Sequence, residues 1–314
     1  MKVRLAVSPT SYYLPIFLAA DKGYFAKAGI DVDITKTPAS VAVLYPSVAK
    51  GDLDIIPAVP APGFYNQFAQ GFDIKIIGGM GQEKVGRAAA VSLLVVKKQA
   101  DQIKDFKDLK GKTIDGGTEG APPSLTALSA IQLGGLTPGK DVNLVYKAKT
   151  PADMLAMATS GAEDVITAPE PVATQTVTQG LTVRWKTLAE VAPWYQPTFM
   201  AVSGQYLKSN PAATAKVLEV LLATEREIDA TNGEWTQPLL DSANKWTGTP
   251  PDAIKATGGV VYYDPNGGVS VDSLVRSQDL WVQQGLVKDK VNAPSLVDNG
   301  PLDKALQELG KVNS

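Results

Sequence analysis

As far as Ser203, strand-like and helix-like stretches alternate in two runs, and this alternation restricts the chain to layered α/β architectures. The first run reads "KVRLAV" at 2–7, a helical stretch from Tyr13 to Ala28, "IDVDI" at 30–34, a helix from Ser40 to Lys50, "DIIPAV" at 54–59, a helix at 62–70 and "DIKIIGGM" at 73–80. The second reads "AVSLLVV" at 90–96, "KTID" at 112–115, a helix from Pro122 to Leu133, "VNLVY" at 142–146, a helix at 151–159, "EDVIT" at 163–167 and "LTVRW" at 181–185. After "TFMAVS" at 198–203 long helices take over, at Pro211–Thr231, Thr236–Lys245 and Val271–Gln284, interrupted by the turn "DPNGG" at 264–268. Asn210 before Pro211 is a cap-then-proline helix start. Two α/β series and a helical tail predict two lobes: 1–88 with 198–314, including the helical C-terminal region, and 89–197. Each is expected to be a mostly parallel sheet flanked by helices, with loops at the carboxyl ends of its strands lining a cleft.

Two absences narrow the chemistry. The 314 residues contain no Cys and no His, which excludes thiolate and imidazole metal sites, Ser-His-Asp and Cys-His catalysis, and disulfides. A formal net charge of −2 gives no electrostatic reason to expect a nucleic acid partner. No apolar run reaches membrane-spanning length, and the N-terminus lacks the basic, apolar, small-residue order of a secretory signal. Because Met1 leads at once into a strand, an export signal replaced by an initiator Met is the expectation.

Five segments, in order, resemble the type II periplasmic binding proteins of the sulfonate, nitrate, taurine and thiamine-precursor group: "LPIFLAADKGYFAKAGIDVDI", "VAKGDLDIIPA", "IKDFKDLKGKTID", "APEPVATQ" and "LVKDKVNAPSLVDNGPLDKAL". The resemblance covers nearly the whole chain. It implies a periplasmic, or membrane-anchored extracellular, solute-binding subunit that closes two hinged lobes on a small molecule and delivers it to the permease of an ABC-type importer. It implies no cofactor, no nucleic acid, no chemistry and a monomer. Members bind different solutes, so the fold does not fix the ligand.

The first strand-to-helix loop offers Ser8, Thr10 and Ser11 hydroxyls with the rings of Tyr12 and Tyr13, the materials of a small-molecule pocket and the favoured reading; the alternative is a Ser11 helix cap with tyrosines in the core. Pro60, just past the third strand, joins this set. Ser40, Thr118 and Ser124 stand at predicted helix starts, where amides and hydroxyls bind anions or merely cap. Arg87 at the first crossover is a candidate clamp for a carboxylate or sulfonate, or a solvated surface arginine. Glu119 and Glu170 would instead favour an amino group or a heterocycle, and Glu170 is also well placed to complement a helix start. Trp194, Tyr195 and Phe199 read as aromatic walls or hinge packing.

Two glycine-rich stretches are decoys. "GGLTPGKD" at 134–141 ends in Asp141 where a P-loop needs a hydroxyl, and "GGMGQEKVG" at 78–86 has Lys84 in place of the third glycine of a dinucleotide fingerprint. The favoured solute is a small organic anion, a ring-bearing carboxylate or a sulfonate. The alternatives are a thiamine-related pyrimidine, or a small enzyme on the same fold: a dehydratase, which would need a carboxylate such as Glu119 as its acid or base.

Overall fold

The computed structural model describes residues 1–37 and 41–313; Ser40 lies outside them. Among the described residues the strands run in chain order as β1 (Lys2–Val7), β2 (Asp31–Lys36), β3 (Ile55–Ala58), β4 (Ile74–Gly79), β5 (Gly81–Gln82), β6 (Val91–Val96), β7 (Thr113–Asp115), β8 (Asn143–Val145), β9 (Val165–Pro169), β10 (Thr182–Thr187), β11 (Phe199–Ser203) and β12 (Tyr262–Tyr263). The chain forms two units, one of residues 1–82, 194–255 and 259–314, the other of 83–193 and 256–258. The crossovers thus fall at 82/83 and 193/194, a few residues before the expected positions.

In the first unit the sheet order is β2-β1-β3-β11-β4. β1 runs parallel to β2 and β3, whereas β11 is antiparallel to both β3 and β4. The second unit has the order β10-β6-β9-β7-β8, with β7 parallel to β8 and β9 and with β6 antiparallel to β9 and β10. In each sheet four of the five strands therefore point the same way, as expected of a mostly parallel sheet, and one strand, β11 or β6, runs against them. The exceptions have one origin: β6 and β11 are the first long strands after each crossover and enter without a preceding helix in their own sheet, so the right-handed parallel β-helix-β rule does not govern them.

Local chemistry sets the element ends. The helix expected over 13–28 breaks into Leu14–Asp21 and Tyr24–Lys27, because Gly23 adopts φ 67°, a left-handed conformation that stops a helix. Leu14 to Ala19 are all buried, and this helix packs against helices Pro211–Asp229 and Gln237–Thr247. Phe17 stacks on Trp246 at 4.9 Å, and Asp21 accepts from Ser242 and the Trp246 indole, fixing the contact. In the second unit β6 is buried at every position, as a strand covered on both faces should be, and helix Pro122–Leu133 covers it and β9. Among the described residues no helix is long and apolar enough to cross a membrane.

The decoy glycines have packing roles. A Cβ on Gly79 would run into the Gly268 carbonyl and the Gln196 amide, so β4 ends in Gly78-Gly79 to let the 264–268 turn lie directly on its backbone. The 134–141 segment runs from a helix towards β8, closed by the Thr137 amide donating to Asp141 at 3.0 Å.

Candidate functional site

At the carboxyl edge of the first unit's sheet, β1 delivers Ser8 to Tyr13, β3 delivers Val59 and Pro60, and β4 delivers Met80 and Gly81. Residues 11–13 form a short 3-10 turn ahead of the first helix, and neither Thr10 nor Tyr13 supplies a side-chain cap. Ser11 is the first residue of that turn and caps neither it nor the helix, so the capping account of this serine does not hold.

The two tyrosines separate. Tyr13 is 2% exposed and its phenol meets the Ser8 hydroxyl; burial, against the smaller pull of that hydrogen bond, pushes its pKa far above the ordinary value. It belongs to the core. Tyr12 stays half-buried, its ring laid on Gly81, where a Cβ would come within 2.8 Å. Tyr263 donates its phenol to the Ser11 carbonyl at 2.9 Å, and Thr198 donates to the Gly81 carbonyl at 3.0 Å. A wall results, built of Thr10, Ser11 and Tyr12 and held from behind by two residues distant in sequence. Pro60 is buried and its carbonyl accepts the Trp281 indole at 3.0 Å. Tyr195 is buried edge-on against Trp194, over which the Arg276 guanidinium sits at 5.5 Å, and Phe199 is buried inside β11.

In the second unit β7 ends at Asp115, which is fully buried and accepts from the amides of Gly117 at 2.7 Å, Lys147 at 2.8 Å and Ala148 at 3.3 Å. One carboxylate thereby staples two strand-end loops. Thr118 and Glu119 are exposed on the first of them. Ser124 is fully buried, and its oxygen accepts the Gly120 amide at 3.1 Å. The expected cradle of helix-start amides is reduced here, because Pro122 and Pro123 fill the first two helical positions and neither has an N–H. Tyr146, whose ring needs the bare Cα of Gly116, shares a hydrogen bond with Ser124. Burial raises its pKa, the Ser124 bond opposes this, and the nearby Glu119 charge adds to the rise.

Glu170 does not stand open. One oxygen accepts from Arg184 at 2.6 Å and the other from the Thr174 amide at 3.0 Å. Arg87 is half-buried close behind the first crossover, on the segment that leads into β6. The structure thus brings together Thr10, Ser11 and Tyr12 in one unit, and Thr118, Glu119 and Tyr146 in the other, while Tyr13, Pro60, Ser124, Glu170 and Tyr195 are committed inside their own units. Tyr146, Asp115, Tyr263 and Gln196 escape a sequence reading, since each acts through partners far along the chain. Only the position of Tyr146 at the end of "VNLVY" was a signal. Among the described residues no group of three carboxylates gathers to hold a metal.

The fold is shared with several solved structures. The periplasmic aliphatic sulphonate binding protein SsuA from Escherichia coli matches with a TM-score of 0.77 at 20% identity, covering 95% of this chain and 92% of that one. The periplasmic nitrate-binding protein NrtA from Synechocystis PCC 6803 matches with a TM-score of 0.69 at 17% identity, covering 98% and 89%. A cysteine-to-serine mutant of DSZB in complex with biphenyl-2-sulfinic acid matches with a TM-score of 0.67 at 13% identity, covering 98% and 99%. At these identities the likeness is one of architecture. A family profile described as NMT1/THI5 like matches residues 10–229, most of the chain, and the protein belongs to that family.

Proposed function

We propose that this protein is the solute-binding subunit of an ABC-type importer, working outside the cytoplasmic membrane as a monomer that hands its solute to a permease. The observation that carries this reading is the strand-end wall of Thr10, Ser11 and Tyr12, two hydroxyls and a half-buried ring. Such a surface recognises a solute by hydrogen bonds and stacking. Family membership and the shared architecture of SsuA and NrtA support the same reading.

For the solute we infer a small organic anion, a ring-bearing carboxylate or a sulfonate. The hydroxyls of Thr10 and Ser11 suit its oxygens, Tyr12 suits a ring, and Arg87 is the candidate clamp. A second reading rests on Glu119 beside Tyr146: an exposed carboxylate and a phenol favour an amino-bearing heterocycle such as a thiamine-related pyrimidine. The enzymatic alternative has Glu119 as its one tempting acid.

The test is a thermal-shift screen of ligand-stripped protein against carboxylates, sulfonates, taurine, nitrate and pyrimidines. A true solute at about 100 times its Kd adds roughly 2.7 kcal/mol of stability. A shift confined to organic anions is the expected result; a shift confined to pyrimidines supports the second reading. Consumption of a stabilising ligand, followed by mass spectrometry, would overturn the binding role.

A further inference from the structure

Helix Pro211–Asp229 presents Leu218, Leu222 and Glu225 at i, i+4 and i+7, a spacing that puts them on one face. The two leucines lie against Gly78 and Gly267. Glu225 takes the third place, where a core calls for hydrocarbon. It is 1% exposed, its Oε2 has no hydrogen-bond partner among the described residues, and the charge acting on it is Asp264, of its own sign.

Asp264 closes the 264–268 turn by accepting the amides of Asn266 and Gly268, both at 3.0 Å. The turn in turn holds other segments. The Gly79 amide donates to the Gly267 carbonyl at 2.8 Å, and the Gln196 side-chain amide donates to the Gly268 carbonyl at 3.0 Å. Gln196 Oε1 also accepts the Ser270 amide at 2.7 Å, so the return crossover grips both sides of the turn.

Among the described residues no cation is directed at Glu225. Arg226 spends its guanidinium on the carbonyls of Pro265, Leu309 and Gly310, while Lys22 and Tyr24 bond Glu227. Asp21 is engaged by Lys245 and Trp246, and Tyr206 by the Lys2 carbonyl. On the remaining packed helices Lys27, Lys208, Asp303, Lys304 and Glu308 are exposed. Tyr263, from β12, faces Glu225 with a phenol already donated to Ser11.

We propose that the 264–268 turn is a latch on the return crossover and that Glu225 is its trigger: a protonated Glu225 leaves the turn seated on Gly79 and Gln196, and an ionised one repels Asp264 and unseats it. Burial first, and Asp264 second, hold the Glu225 carboxyl well above the usual carboxylate range, so the latch is closed at acidic pH and released as pH rises.

The experiment is an NMR titration of the full chain, following the Glu225 side-chain carbon with the amides of Gly79, Gly268 and Ser270. Glu225 is expected to titrate above the usual value of about 4.3, with the three amides shifting at the same midpoint. In E225Q those shifts disappear, and in D264N the Glu225 midpoint falls. A Glu225 midpoint at or below the usual value overturns the proposal, as do wild-type amides that do not titrate or that titrate identically in E225Q. The wild-type titration alone decides the matter if either variant fails to fold.

Discussion

Arg184 donates to Glu170 at 2.6 Å while the second oxygen of Glu170 accepts the Thr174 amide at 3.0 Å, so one carboxylate ties β10 to the start of the helix after β9. Arg184 also bonds the hydroxyls of Thr174 and Ser92. With only 8% of its side chain exposed and each oxygen already accepting a hydrogen bond, Glu170 presents little surface to a solute from this position. Glu170→Ala is expected to cost about 3 kcal/mol, the scale for stripping one partner from a buried pair, and urea midpoints measure it. Normal stability with lost solute binding would instead make Glu170 a ligand contact.

Neighbouring tyrosines should respond differently. Tyr12→Ala removes a half-buried ring from the proposed solute wall, and a lost aromatic contact of about 1 kcal/mol corresponds to roughly fivefold weaker binding. Tyr13→Phe loses only the bond to Ser8, about 1 kcal/mol of stability, and should leave affinity unchanged. Calorimetric titration with the solute found by the screen, paired with melting curves, separates the two effects.

Asp115→Asn keeps one acceptor oxygen but gives up the charge that three backbone amides point towards. Losing charge-assisted bonds of this kind costs roughly 2 kcal/mol. The loops at 116–120 and 146–148 should lose hydrogen-exchange protection together. Loss in one loop alone would mean that Asp115 does not couple them.

Gly79→Ala forces a methyl into the Gly268 carbonyl and the Gln196 amide, both of which are fixed by other bonds. Overpacking at such a contact costs about 3 kcal/mol or more, and the melting temperature should drop accordingly. An unchanged melting temperature would show that the turn rides loosely on β4.

The pH dependence of stability follows from Glu225. Its folded pKa lies above its unfolded value, so the contribution is fully present below about pH 4.3 and is lost as pH rises towards the folded pKa. E225Q has no proton to lose at this site. Urea midpoints of the wild type should therefore decline over that window relative to those of E225Q, and parallel curves for the two proteins would contradict the assignment.

Much of the architecture was legible because hydrophobic runs and caps are local. "VSLLVV" reads as a buried strand and Asn210-Pro211 as a helix start without knowledge of the rest. The direction of β6 and β11 was not legible, since the same apolar run serves a parallel or an antiparallel neighbour. The wall at Thr10 to Tyr12 could be located from its strand-end position, yet nothing local distinguishes Tyr12 from Tyr13. That difference comes from Gly81 and Ser8. Gln196 was invisible for a related reason, because its side chain finds Gly268 and Ser270 more than seventy residues away. Lys84 was enough to reject a nucleotide loop at 78–86, yet only the turn lying across Gly78-Gly79 supplied the reason for having no side chains there.

The position of β11 between β3 and β4 also orders events on the ribosome. When synthesis has passed residue 193 the second unit has all but three of its residues, whereas the sheet of the first still lacks the strand that joins its two halves. A nascent chain of this protein must therefore keep its oldest segments waiting, with apolar strand edges unpaired, until a segment made after the whole second unit arrives to close them.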